Sequence, residues 1–407
     1  MKKLNILAGC LLAGSIGCNE AAEEKATVPG NFGEDVAFLQ KHLKNVVVLQ
    51  SATDSSRVAV TGDYQARVMT STAGGETGKS FGWINYDLIA SGKLNPHINA
   101  FGGEERFWLG PEGGQYSLFF PPGKPFEFDH WQTPGMIDTA HYNVQSQSPS
   151  EITYQYAGTL QNYSGVQFQL GISRTIRLLS RQTVADRLQI TLPEGVKSVA
   201  YETENVVTNT GDSAWREEHG LISIWLLGMF KPSDQTAVVA PFKNMDNARA
   251  HITDDYFGKI DPKRLTVKDS LLLFRADGKA RGKLGLSPVV AKPGAGSIDL
   301  ENNTITLLLY DVAPEGKYVN SKWELQKEPY KGDAVNCYND GPLADGSQMG
   351  PFYEVESSSD ARPLRPGESL RYRQVTIHLE GSRESLQTLS SLLWQLPLQD
   401  VQQFLHP

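Results

Sequence analysis

Glu354 and Glu356 stand two residues apart in the run Phe352 to Ser357, which is flanked by turn-forming residues. If this run is a strand, successive side chains point to opposite faces, so the two carboxyls share one face with Phe352. Two carboxylates held close repel when both are ionised, so one is expected to keep its proton to higher pH. That is the property of a general acid or base. The competing reading is structural: Glu354 is neutralised by a cation, Lys322 or Arg106, and the pair does no chemistry.

Three further segments mix aromatic, charged and glycine residues. In Asn99 to Phe120, Glu104, Glu105 and Arg106 lie among Phe101, Phe107 and Trp108. Rings beside an arginine and carboxylates suit a sugar, whose C–H faces stack on the rings while its hydroxyls take charged hydrogen bonds. A surface hairpin with a satisfied Arg–Glu pair would use the same residues. In Val206 to Gly228, a turn at Asn209-Thr210-Gly211-Asp212 precedes Trp215, Arg216, Glu217, Glu218 and His219, then the apolar run Leu221 to Leu227. A histidine opening a buried strand can project into a cleft, where a neighbouring carboxylate would raise its pKa and make it a proton donor. In Gly316 to Gly346, Lys322, Asn339 and Asp340 lie in a polar stretch that reads as a long functional loop region. Asn339, Asp340 and Asp345 could offer oxygen ligands, but the calcium-loop spacing is absent and an Asx turn is the expected use; no metal site is expected.

The elements that must position these residues are mostly strands. In Val166 to Leu178, Val166, Phe168, Leu170 and Ile172 alternate with Gln167, Gln169, Gly171 and Ser173, a half-buried strand pattern. Similar runs recur at EITYQYAG, DRLQITLPEGV, NTITLLLYDV and RYRQVTIHLEG, separated by NTGD, PEG and NDGP turns. With 38 glycines and 22 prolines to punctuate them, the expected fold is mainly β: a large antiparallel β-sandwich with a few short helices. Helices are expected at Gly33 to Leu43 and in the leucine-rich stretch that ends at Pro397.

The chain opens with Lys2 and Lys3, a short apolar run and Ser15-Ile16-Gly17-Cys18. This reads as a secretory signal over residues 1–17, too short to span a membrane. Its ending is similar to a bacterial lipoprotein cleavage box, which would make Cys18 the lipidated first residue. An acidic tether follows to residue 32, and residues 33–407 read as one domain. The expected location is the cell envelope, lipid-anchored to the outer membrane and facing either the periplasm or the exterior. Only Cys337 remains beyond the signal, so no internal disulfide is available. The formal charge is −8, which becomes −10 once Lys2 and Lys3 leave. An acidic chain without a basic cluster argues against nucleic acid as a partner.

The segment from Phe352 to Leu379 resembles the C-terminal part of the galactose mutarotase-like superfamily. There a strand ending in a Leu-Glu-Thr-type triplet is followed by a Leu-x-Pro-Gly-Glu turn; here Val355-Glu356-Ser357 and Leu364-Arg365-Pro366-Gly367-Glu368 stand at those places. TNTGDSAWREEHGLISIW is similar to the superfamily's Asn-Thr-Gly-type turn and the histidine that opens the acid-bearing strand, and Gln65-Ala66-Arg67 stands where a Gly-Gly-Arg-like start would be. The resemblance implies the supersandwich fold, an aldose 1-epimerase-like ring opening and closing, Glu356 as base and His219 as acid, with no cofactor. The superfamily's His-Gly-Gly motif is replaced by FGGEERFWLGPEGG. The resulting expectation is a monomeric, sugar-active lipoprotein in which Arg106, Trp108, Glu105, Glu354, Lys322, Asn339 and Asp340 hold the substrate. A polysaccharide lyase or hydrolase, and a glycan-binding lipoprotein without turnover, are the alternatives.

Overall fold

The computed structural model describes residues 30–406; the expected signal, Cys18 and most of the tether lie outside the described residues. Among the described residues no helix is long and apolar enough to cross a membrane.

The described chain builds three antiparallel sheets. Ten strands, in the spatial order Leu265–Lys268, Leu271–Arg275, Thr236–Pro241, Gly294–Asp299, Thr304–Tyr310, Ser369–Glu380, Lys197–Asn209, Gln167–Leu178, Glu151–Gln161 and Asn143–Gln147, form the largest. Six strands, Ile252–Thr253, Gly282–Leu286, Val335–Asn339, Tyr353–Ser358, Ser223–Phe230 and Arg106–Gly110, form the second, and Val46–Gln50, Arg57–Thr61 and Arg67–Thr72 the third. Phe168, Leu170, Ile172, Tyr201 and Leu308 of the large sheet share one buried cluster with Phe107, Leu109, Ile224, Leu284, Cys337 and Val355 of the six-stranded sheet. This packed layer between two sheets is the sandwich that period-two patterning demands.

The alternation is clearest in Gln167–Leu178, where every second residue is buried. Its polar partners face water, as the sequence pattern requires. The other face of the large sheet also carries apolar residues, Val239, Ile298, Ile305, Leu307, Ile377 and Leu379, and these are covered by Leu386, Leu389, Leu398, Val401 and Leu405. Those covering residues come from two helices, Arg383–Trp394 and Leu398–Leu405. Pro397 therefore separates two helices rather than ending one: its fixed φ suits the residue just before a new first turn.

One expected strand is not a strand. In DRLQITLPEGV, Asp186 to Leu188 close the helix Arg181–Leu188, which Ser180 caps at its start by accepting a hydrogen bond from the Thr183 N–H at 3.1 Å. Gln189 then takes a left-handed conformation and ends it. The cap and the left-handed exit outweigh the apparent alternation of the segment.

Candidate functional site

The site lies on the face of the six-stranded sheet that points away from the sandwich core. Glu354 and Glu356 fall on Tyr353–Ser358, and their register partners place Tyr338 and Asn336 on one side of them and Met229 and Leu227 on the other. Residues directly opposite in an antiparallel pair share a face, so Trp225, Arg106 and Trp108 follow on the next two strands and Lys283 on the far side. The sheet thus assembles two carboxylates, two cations and two indoles from four strands far apart in the chain.

Each carboxylate has its own cation. Arg106 Nη2 is bonded to Glu354 Oε1, with both side chains buried, and its guanidinium lies over the Trp108 ring at 4.7 Å. Lys283 Nζ donates to Glu356 Oε2 at 3.1 Å, and the Trp225 indole N–H donates to the same oxygen at 2.9 Å. Glu356 is 0% exposed, yet its second oxygen, Oε1, has no partner among the described residues. A buried acceptor left unpaired is costly.

Burial pushes the Glu354 carboxyl up to about 7; Arg106 and Lys283 pull it down, while Glu356 and Asp340 add to the rise. Burial disfavours the charge on Lys283, but Glu356, Glu112 and Glu354 together overcome this and hold its pKa above the ordinary value. The lysine is therefore an ammonium at neutral pH, a fixed positive charge beside Glu356 rather than a nucleophile.

Loops build a rim over this floor. Glu112, Tyr256, Trp323 and Asp333 are half-buried there, and Lys283 itself keeps 13% of its side chain exposed. Burial raises the Glu112 carboxyl above its ordinary range; Lys283 and the Trp323 and Trp131 indoles oppose the rise and Glu356 reinforces it. Asp333 accepts from the Tyr256 hydroxyl at 2.5 Å, and burial lifts its carboxyl to about 6. Lys283 and Lys322 both lie toward the Tyr256 ring, at 5.9 and 6.0 Å from its centroid. The arrangement brings protonatable carboxyls, an ammonium and aromatic rings together on one side of the sheet.

Of the residues expected from sequence, Glu354, Glu356, Arg106 and Trp108 come together, and the exposed Lys322 stands at the rim. Glu105 does not join them. It is 0% exposed and turned to the other side of the chain, paired with Arg174 Nη2 at 2.7 Å and accepting from Gln374 Nε2 at 2.8 Å. Its neighbour Arg106 faces the site, so alternation along the strand sends Glu105 inward. Asn339 also points away from Glu354: its side chain donates to the Ala280 carbonyl at 2.8 Å and accepts from the Gly278 N–H at 2.9 Å. Asp340 is buried at the edge of the face, accepting from the Tyr338 hydroxyl at 2.5 Å and the Gly350 N–H at 3.0 Å, and so fastens the loop before the Glu354 strand.

His219 lies in the short 3-10 turn Glu217–His219 and is exposed. Its backbone carbonyl accepts from Asn162 Nδ2 at 2.9 Å, while no hydrogen bond, ion pair or ring contact involves its imidazole among the described residues. The side chain of this region that reaches Glu356 is Trp225, inside the strand that His219 precedes.

Lys283, Trp225, Glu112, Trp131, Tyr256 and Asp333 were not singled out from the sequence. Trp225 carried a signal, because an indole N–H within a fully apolar strand needs a buried acceptor. Lys283 carried none: alternating with Leu284 and Leu286 in Gly282–Leu286, it reads as the water-facing side of a half-buried strand.

No curated protein matches the sequence. Among solved structures, the Slr1438 protein from Synechocystis sp. PCC 6803 is 11% identical, with 83% of this chain and 96% of that chain covered at a TM-score of 0.49. A galactose mutarotase-like protein from Lactobacillus casei is also 11% identical, covering 83% of this chain and 100% of that one at 0.44. A galactose mutarotase related enzyme from Lactobacillus acidophilus gives 11%, 83% and 98% at the same TM-score of 0.44. The last two are described as mutarotase-like or mutarotase-related; at such scores the site stands on its own geometry. The family model described as a family of unknown function (DUF6786) matches residues 30–405, and the chain belongs to that family.

Proposed function

We propose that the protein is carbohydrate-active, with its site on the Glu354–Glu356 face, and that its chemistry is the opening and reclosing of an aldose ring. The observation that carries this reading is Glu356: a fully buried carboxylate, steadied at one oxygen by Lys283 and Trp225, with the other oxygen unpartnered. A carboxylate so held is a base of fixed position. It takes the proton of the anomeric hydroxyl, the C1–ring oxygen bond breaks as the carbonyl forms, and an acid protonates the ring oxygen. Rotation about the next C–C bond and the reverse steps give the other anomer.

The acid in this reading is Glu112 rather than His219. Glu112 lies within electrostatic reach of Glu356 and Lys283, and its raised carboxyl keeps a proton to higher pH than an ordinary glutamate. His219 is exposed and unengaged. Trp323, Trp131 and Trp108 supply ring faces for the sugar, and Lys322, Asp333 and Tyr256 meet its hydroxyls. Attachment to the envelope through Cys18 belongs to the same proposal.

A second reading is capture without turnover. It is favoured by the closure of both carboxylates into ion pairs, at 5% and 0% exposure for Glu354 and Glu356. The deciding experiment is NMR of anomer interconversion across a monosaccharide panel, on the mature chain and on Glu356→Gln. Acceleration by the parent alone supports the epimerase reading. Sugar binding that is unaccelerated and indifferent to the substitution supports capture and removes Glu356 from any chemistry.

A further inference from the structure

The atom that the proposed chemistry needs is closed off. Glu356 is 0% exposed and its unpartnered Oε1 is sealed within the protein, so no sugar hydroxyl touches it while the site keeps this form. Glu112 and Tyr256 stand over the sheet floor close enough to bear on Glu356 electrostatically. Access requires a segment above them to move, and one segment is built to do so.

Residues 320–329 form an Ω-loop. Backbone hydrogen bonds pin its neck: the Asn320 N–H donates to the Pro329 carbonyl at 2.8 Å and the Tyr318 N–H to the Tyr330 carbonyl at 3.2 Å. Between residues 321 and 327, among the described residues, no backbone-to-backbone hydrogen bond leaves the loop. The loop keeps its own shape, because Gln326 Nε2 donates to the Asn320 and Lys322 carbonyls at 3.0 and 2.7 Å. Side chains hold its body down. Gln115 Nε2 donates to the Gln326 carbonyl at 2.9 Å, Gln115 Oε1 accepts from the Gln326 N–H at 3.0 Å, and Ser321 Oγ accepts from the Glu112 N–H at 3.3 Å. Trp323 adds ring contacts, stacked on Trp131 at 5.8 Å and edge-on to Phe120 at 5.1 Å. A compact loop with a fixed neck and a body attached by a few side chains opens as a unit at low cost.

Its place is over the site. Trp323 bears on Glu112, and the adjacent Lys322 holds its ammonium 6.0 Å from the Tyr256 ring, so the loop bridges the two groups that stand over Glu356. It rests on Gly113 and Gly114, which end the run FGGEERFWLGPEGG. A Cβ on Gly113 would overlap the Lys322 carbonyl oxygen, so glycine is required there by the close approach of the loop backbone.

We infer that residues 320–329 are a lid, latched by the Gln115 side chain and seated on Gly113, whose opening admits the substrate to Glu356 and whose closure brings Trp323 down over it. What enters rests on the sugar reading above; the motion does not. Closure excludes water from the reacting ring.

The test is fluorine NMR of the mature chain labelled with 5-fluorotryptophan, which reports all seven tryptophans, with Trp323 assigned by Trp323→Phe. The Trp323 resonance is expected to show exchange on the microsecond-to-millisecond scale of lid motions, while Trp394, packed in the helix-covered cluster, does not. Gln115→Ala removes two neutral hydrogen bonds and should raise the open fraction about tenfold. Gly113→Ala denies the lid its seat and should move the Trp323 resonance to its solvent-exposed position. The Gln115 side chain bonds only to the loop among the described residues, so that variant reports even where Gly113→Ala lowers stability. A Trp323 line without exchange that neither substitution moves overturns the lid. Exchange of equal size at every tryptophan also overturns it, because that is general loosening. A fixed Trp323 in a protein that interconverts anomers removes the lid and leaves the sugar reading, whereas a Trp323 that opens in a protein no sugar affects keeps the lid and removes the reading.

Discussion

Replacing Lys283 by methionine removes the cation from Glu356 while keeping a flexible apolar stem of similar length against Trp225. In the parent, Nζ stands 3.1 Å from Oε2 of a carboxylate with no exposure, and only 13% of the lysine side chain meets water, so solvent screens the pair little. Removing one partner of a buried pair leaves an uncompensated charge and costs about 3–5 kcal/mol. The upper part of that range is expected, because Glu112 and Glu354 also lose the attraction of Lys283. In urea the loss reads as a midpoint lowered by about 1 M or more. The double replacement Lys283→Met with Glu356→Gln removes the stranded charge and should recover about 2–3 kcal/mol of the loss. A Lys283→Met protein within about 1 kcal/mol of the parent, or a double variant as unstable as the summed single variants, would refute this account of how the base is held.

Three further outcomes follow from the same geometry. The Glu354 carboxyl titrates near 7 in the fold against an ordinary 4.5, so the folded state holds the extra proton in that window. Its contribution to stability, of the order of 3 kcal/mol, is therefore present below pH 4.5 and lost as pH rises to about 7; a pH series of urea midpoints should fall across this window in the parent and less steeply in Glu354→Gln, where the raised Asp333 and Glu112 carboxyls still contribute, and an unchanged slope would exclude Glu354 as a source. Trp225→Phe keeps the ring and deletes the N–H to Glu356, a charged hydrogen bond whose loss is expected to cost about 1.5–3 kcal/mol in thermal or urea unfolding. His219→Ala should change stability by less than about 0.5 kcal/mol and leave anomer interconversion at the parent rate; a large fall in rate would restore it to the acid role.

Much of the sheet content was legible because it depends on local alternation. Gln167–Leu178 buries every second residue as its sequence pattern implies, and Thr304–Tyr310, Glu151–Gln161 and Ser369–Glu380 fall where apolar runs were bounded by turn residues. The pairing of Glu354 and Glu356 on one face was legible for the same reason, and Arg106 was one of two cations named for Glu354. Where a helix cap competed with an apparent strand pattern, at Ser180 to Gln189, the pattern misled, since capping is decided by a few hydrogen bonds that hydrophobicity does not report.

The remainder of the site was decided by strand order. Lys283 reaches Glu356 because Gly282–Leu286 pairs with Val335–Asn339, which pairs with Tyr353–Ser358; nothing near position 356 in the chain announces a lysine 73 residues earlier. Trp225 arrives from the opposite neighbour, and Glu112, Tyr256 and Asp333 from loops that close over the sheet only once its order is set. The same order turned Glu105 inward to Arg174 and left His219 in solvent. The sequence by itself determined which residues alternate, turn and bury, because those properties act over a few residues. Only the tertiary structure decided which cation meets which carboxylate, because ion pairing in a β-sandwich is settled between strands brought together from distant parts of the chain.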